Sequence, residues 1–187
     1  MRISVMPGAR RLMMVVMKLN AAARDEMPST CRPATQKSMF IFSSAEPGAT
    51  PLYVACHNGH LEVARLLLKA GAAKDQAQTQ GATPLYVACQ KGHLDIARLL
   101  LEAGAAVNQA RNDGSTPLFA ACHNGHLEVA KLLSSYGASR AATPFGTPEE
   151  AANSRGHADL AAWLVASRGW TPLQHLEACP RLAAKEA

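Results

Sequence analysis

One phrase is said three times, at a fixed distance. It runs Thr50-Pro51-Leu52-Tyr53-Val54-Ala55-Cys56-His57-Asn58-Gly59-His60-Leu61-Glu62-Val63-Ala64, and it returns at Thr83 and at Thr116, each time 33 residues on. Thr50 to Cys56 is identical to Thr83 to Cys89, and Cys56 to Ala64 is identical to Cys122 to Ala130. A constant period in this range means supersecondary units stacked on one another, none of which buries its apolar face alone.

Each unit reads as helix, tight turn, helix and connecting loop. Thr50, Thr83 and Thr116 suit an N-cap, where the hydroxyl accepts a free backbone N–H. The proline that follows each falls at the first helical position, where its missing N–H costs nothing. Gly59, Gly92 and Gly125 end the short first helix, where a left-handed residue is needed. The small pairs Ala55-Cys56, Ala88-Cys89 and Ala121-Cys122 let that helix approach its neighbours closely.

The second helix carries Leu61, Val63, Ala64, Leu66, Leu67 and Leu68, a stripe too wide for burial on one side. It suits an element packed between neighbouring units. Glu62, Arg65 and Lys69 leave one narrow polar face, repeated as Asp95, Arg98, Glu102 and as Glu128, Lys131, Ser135. An acid in the first turn, paired at i,i+3, adds only tenths of a kcal/mol to about one.

With Thr-Pro-Leu opening each unit at this period, the block resembles the ankyrin repeat over about residues 45 to 168. The resemblance implies an all-α solenoid of stacked helix-turn-helix units with short β-hairpin or loop fingers. It also implies protein–protein interaction as the function class, with an adaptor or scaffold role. Three regions are expected: a basic leader and linker over 1–44, the repeat domain over 45–168, and a C-terminal half-repeat cap and tail over 169–187.

A fourth unit starts at Thr147-Pro148 after a loop two residues shorter. Glu149 stands where the others have leucine, and a carboxylate is not buried cheaply without a partner. The unit is therefore expected to be terminal or semi-exposed, with Trp163 restoring apolar contact. Ser134, in place of Leu68 and Leu101, suggests looser packing there. Gly169-Trp170-Thr171-Pro172-Leu173 restarts the phrase before Pro180 cuts it short. Leu173 and Leu176 are expected to cover the fourth unit.

The formal charge of +5 does not belong to the repeats. Residues 1–47 hold seven Lys/Arg against three Asp/Glu, while residues 48–166 hold nine of each. A neutral, aromatic-poor block is a poor phosphate binder, so no nucleic-acid partner is expected. No apolar run approaches the roughly 20 residues of a membrane helix. Five cysteines and no convincing secretory signal fit a reducing, cytoplasmic compartment.

The leader keeps alternatives open. Leu12, Val15, Val16 and Leu19 would stripe a helix among Arg2, Arg10, Arg11, Lys18 and Arg24. A tail that is partly disordered or caps the first repeat, an organelle transit peptide and a membrane-surface helix all fit, the first being favoured and organelle targeting second. Met39 to Phe42 is a candidate cover for the first repeat.

Possible chemistry is better explained by packing. Cys56, Cys89 and Cys122 occupy one position of successive units, and helices roughly 8–10 Å apart do not bring Cα atoms within disulfide reach of about 7 Å. His57 and His60, like His123 and His126, form H-x-x-H, but a glycine ends the helix between them and no four-ligand set is visible. No catalytic nucleophile, cofactor or metal is expected. His60, His93, His126 and His157 recur in the turn, where hydrogen bonding would fix it. Asn108 is similar to a finger asparagine that some ankyrin proteins have hydroxylated, although Ala106 replaces the usual Asp; a turn residue is the simpler account.

Ankyrin proteins grip partners with the finger tips and the exposed end of the first helix. The corresponding residues are Ala49, His57 and Asn58 in the first unit, then Thr79, Gln80, Ala82, Gln90 and Lys91 in the second. In the third they are Asn112, Asp113, Ser115, His123 and Asn124, and in the fourth Ser154 and Arg155. Tyr53, Tyr86 and Phe119 are candidate aromatic anchors. An unidentified protein partner and a monomeric chain are expected. A different class of function is a targeting or regulatory fragment of a larger multidomain enzyme, for whose catalytic domain these residues leave no room.

Overall fold

The computed structural model describes residues 48–178, the Leu176 side chain excepted. The leader helix, the linker, the Met39 to Phe42 cover and the C-terminal tail lie outside the described residues.

Nine helices are found among the described residues. They are α1 (Pro51–His57), α2 (Leu61–Lys69), α3 (Pro84–Lys91), α4 (Leu94–Glu102), α5 (Pro117–His123), α6 (Leu127–Ser135), α7 (Pro148–Ser154), α8 (Ala158–Ala166) and α9 (Pro172–Glu177). The first helices α1, α3, α5 and α7 stack in one row, and α2, α4 and α6 stack behind them.

Local chemistry sets the helix starts. The hydroxyls of Thr50, Thr83 and Thr116 accept from the N–H of Tyr53, Tyr86 and Phe119 at 3.1, 3.1 and 3.2 Å. Thr147 does the same for Glu150, whose carboxylate returns a bond to the Thr147 N–H at 2.9 Å, a complete capping box. Second helices end in Schellman geometry: Ala105 N–H reaches Leu100 O at 2.9 Å and Gly104 N–H reaches Leu101 O at 2.9 Å.

Between units, the turn histidines reach backward. His93 Nε2 lies 3.3 Å from the His57 carbonyl, and His126 Nε2 lies 3.1 Å from the Gln90 carbonyl. The expected hydrogen bond of the turn is thus made to the preceding repeat, where it satisfies a carbonyl at the end of a first helix.

Burial deepens along the second-helix row. α2 buries Ala64 and Leu67 and leaves Leu66 42% exposed. α4 buries Ile96, Ala97, Leu100 and Leu101, and α6 buries every residue from Leu132 to Ser135. Cys56, Cys89 and Cys122 are free and buried in the first-helix row.

The connecting loops close on tight turns. Gly81 N–H reaches Gln78 O at 2.8 Å, Gly114 N–H reaches Arg111 O at 2.9 Å, and Gly146 N–H reaches Thr143 O at 3.0 Å. The fingers are hairpin-like only at their tips: among the described residues the single bridge outside helices pairs Thr143 with Gly146.

The C-terminal end departs from two expectations. Ser134 is not loosely packed. It is buried, within 3.5 Å of an Arg140 Nη2 that also donates to Ser167 Oγ at 2.9 Å, while Nη1 donates to the Leu164 carbonyl at 2.9 Å. A serine there supplies an acceptor for a half-buried guanidinium lying 5.4 Å from the Trp163 ring centre. Leu173 does not cover the fourth unit; it is 63% exposed, and α9 packs on α6. His175 of α9 is buried, at 3% exposure, with its ring 5.5 Å from Trp163 and 5.3 Å from Trp170. Glu149 is half-buried and pairs with Arg168 at 3.8 Å.

Candidate functional site

The loops and the first helices meet on one face of the stack, and the residues singled out on that face fall into three groups.

The first group is buried. Tyr53, Tyr86, Phe119, Ala82 and Ser115 are all packed inside. The rings of Tyr53 and Tyr86 are therefore not exposed.

Residues of the second group hold the fingers to one another. Asn112 N–H bonds Gln80 O at 3.0 Å, Asn112 Nδ2 bonds Thr79 O at 3.2 Å, and Arg111 Nη2 bonds Gln80 Oε1 at 2.6 Å. Asp113 accepts from Ser115 N–H at 2.9 Å and faces Arg111 at 3.6 Å. Slight burial works to raise its carboxyl, but the bonds from Ser115 and the Arg111 charge outweigh that and hold it below the usual carboxylate range. Nearer the finger bases, Asp75 accepts from Ala106 N–H and Asn108 from Ser139 N–H, both at 2.8 Å. Asn108 thus has the structural role of a turn residue tying one loop to the next.

The third group stays at the surface. His57, Asn58, Lys91, Asn124, Ser154 and Arg155 are exposed, and Gln90 and His123 are half-buried. Asn58 and Asn124 bend back to cap their own helices, bonding Val54 O at 3.0 Å and Ala120 O at 2.8 Å. Ser154 Oγ donates to Ala151 O at 2.9 Å.

Four sequence-predicted residues converge. Phe119, His123, Ser154 and Arg155, with Phe145, Glu150 and Ala151, line an open pocket of about 410 Å³. Phe119 and His123 stack with ring centres 6.1 Å apart and planes 24° apart. Phe145, on the third finger, leans over Phe119 at 6.1 Å and is 59% exposed. Arg155 Nε donates to His123 Nε2 at 2.9 Å. An arginine has no lone pair to offer, so Nε2 of that imidazole is the acceptor and carries no proton. Burial, then the charges of Arg155 and His157, hold His123 below the ordinary imidazole value. Phe145 and Glu150 escaped the sequence reading. An aromatic at the tip of the one shortened loop was the available signal for Phe145.

Nucleophile chemistry finds no support in the thiols. Burial pushes Cys56 and Cys122 up to about 12 and Cys89 higher still. Among the described residues, no three His, Cys, Asp or Glu side chains group as metal ligands, and no helix is long and apolar enough to cross a membrane.

The comparison with curated proteins returns no match. The family model described as ankyrin repeats (3 copies) matches residues 19–111 and again 104–179. These matches span most of the chain, and the stacked helix pairs agree with them. The chain belongs to the ankyrin repeat family, whose members are generally protein–protein interaction modules and typically non-catalytic.

Proposed function

We propose that this chain is a non-catalytic adaptor that binds a partner protein on the face where fingers and first helices meet. One observation carries the reading: folding leaves the pocket of Phe119, His123, Phe145 and Arg155 open there, with the large Phe145 ring mostly in solvent. Phe145 spends only part of its surface on Phe119, and aromatic and arginine side chains in a concavity are the residues that dominate partner affinity. The helical repeats supply rigidity, so little ordering cost opposes association.

The residues that present themselves are fewer than the candidates taken from sequence. Thr79, Gln80, Asn112 and Asp113 are engaged in finger-to-finger or turn bonds, so they shape the face more than they reach from it. Lys91, His123, Ser154 and Arg155, joined by Phe145, are the contact set, with His57, Asn58, Gln90 and Asn124 along the same row. The repeat block is neutral, which favours a protein over a nucleic acid, and the chain acts as a monomer in the cytoplasm.

Proximity labelling in the native cell, with the full chain and with a variant carrying Lys91→Ala, Phe145→Ala and Arg155→Ala, tests this. Proteins labelled by the parent and lost with the variant, then shown to bind directly by calorimetry, are the expected result. Identical partner lists from both would overturn the assignment of this face.

A further inference from the structure

We infer that the pocket takes an acidic peptide segment with an apolar anchor: a large aliphatic or aromatic side chain enters the pocket and packs against the exposed Phe145 ring beside Phe119, and a neighbouring carboxylate meets Arg155. The inference rests on the protein-binding reading above and names the partner's chemistry.

Two features define the recognition. The apolar half is Phe145 facing Phe119 across 6.1 Å with planes tilted by 37°, beside a volume of about 410 Å³. The charged half is Arg155, and its orientation is fixed from below. Phe119 is buried, His123 stacks on it, and Arg155 is held to His123 through Nε at 2.9 Å. That bond uses the guanidinium edge nearest the chain. The Nη groups have no partner among the described residues, and they form the planar fork that pairs with a carboxylate through two parallel bonds. A cation already oriented loses little freedom when it binds.

Charge complementarity selects the acid. The carboxylate lining the pocket, Glu150, has its Oε2 on the Thr147 N–H at 2.9 Å, directed at its own helix N-terminus. Along the row of first-helix ends, His57, Asn58, Gln90, Lys91, His123, Asn124, Ser154 and Arg155 include two fixed cations and no acid. An aromatic beside an arginine could also stack a base. The neutral block lacks the further cations that a phosphate chain requires, so the peptide is the favoured occupant.

The test uses the full chain against random peptides displayed on phage, followed by anisotropy with the enriched peptide synthesised and fluorescently labelled. The expected consensus places Asp or Glu close to Leu, Ile, Phe, Tyr or Trp. Arg155→Gln and Phe145→Ala each weaken binding at least about tenfold, the loss expected for a charge-assisted bond or a buried anchor. Arg155→Lys, which keeps the charge and loses the fork, falls between. Neutralising the peptide's acid weakens binding to the parent and has no further effect on Arg155→Gln. Both side chains are exposed, and unchanged thermal melts establish that the variants fold. Peptides without an acid, or peptides indifferent to both substitutions, overturn the inference. So does a single-stranded oligouridine that binds and loses its binding in the same two variants. Acid-free peptides lost with Lys91→Ala overturn this pocket while leaving the protein-binding reading intact. Failure of any peptide to enrich over bare support also overturns it, and the proximity-labelling comparison then decides the broader reading separately.

Discussion

The imidazole of His126 stands over Gly92 so closely that a β-carbon on the glycine would come within 2.6 Å of the ring. His93 stands over Gly59 in the same way, at 2.8 Å, and His157 over Gly125, at 2.5 Å. Each of these glycines therefore answers two demands, a left-handed backbone and clearance for the next repeat.

Gly156 separates those demands, because its φ of +78° matches the +77° of Gly92 while nothing lies within 4 Å of its added β-carbon. Gly156→Ala should cost about 1–2 kcal/mol, the left-handed penalty alone. Gly92→Ala should cost about 1–3 kcal/mol more, from overpacking against His126. Urea denaturation of both, with His126→Ala added to Gly92→Ala, checks this: the double variant should regain part of the excess. Equal costs for the two glycines would show that the ring yields freely.

Leu100 and Leu66 differ sharply in burial on the second helices, the first fully buried and the second nearly half in solvent. Leu100→Ala should cost about 2–5 kcal/mol. Leu66→Ala should cost less than about 1 kcal/mol. Denaturant midpoints at constant slope are the measurement. A loss below about 1 kcal/mol for Leu100→Ala would mean that α4 is not sandwiched between α2 and α6.

Arg140 bonds the carbonyl of Leu164 and the hydroxyl of Ser167, so it ties the fourth repeat to the loop before it. Arg140→Ala should cost about 1.5–3 kcal/mol of local stability, as for bonds to a charged group. Hydrogen exchange should quicken in α8 and α9 and stay unchanged in α1 to α4, since repeats couple chiefly to their neighbours. Uniform quickening across the stack would contradict the local tie.

His175 gives the C-terminal helix a pH dependence. Burial, and then the Arg140 charge, hold its imidazole below the ordinary value, and its Nδ1 has no hydrogen-bond partner among the described residues. The unfolded helix takes a proton at about pH 6.5, before the docked helix does. Docking is therefore at full strength above that value and weakens as pH falls through it toward the lower docked value. Emission from Trp163 and Trp170 should follow this transition, and His175→Phe should flatten it. A transition that persists in His175→Phe belongs to another group.

Three thiols should resist reagents. Cys56, Cys89 and Cys122 are buried and hold their protons to high pH. Alkylation at pH 8 followed by peptide mass mapping should leave these three unmodified in the native protein and modified in urea. Fast native labelling of Cys89 would show that the first-helix row opens.

Much of the fold was legible because its determinants are local. A threonine caps the helix three residues ahead, a proline opens it, and a glycine takes the left-handed turn; each of these reads from neighbours in the chain. The apolar stripe of Leu61 to Leu68 announced an element with two buried sides; its counterpart α4 buries Ile96, Ala97, Leu100 and Leu101, whereas α2 itself buries only Ala64 and Leu67. The candidate site was legible in part. His123 and Arg155 were named as contact positions, but their bond joins two repeats, and Phe145 was passed over because its partner Phe119 belongs to another element.

Sequence by itself determined the repeat, its period, its helix limits and its family, since those follow from capping, backbone conformation and periodicity within each unit. Tertiary structure alone decided which polar residues remain available. Thr79, Gln80 and Asn112 look as free in sequence as Arg155 does, yet stacking pairs the first three across fingers and leaves the guanidinium fork of the last in solvent. A hydrogen bond between units depends on the distance that packing sets, and a one-dimensional pattern does not carry that distance.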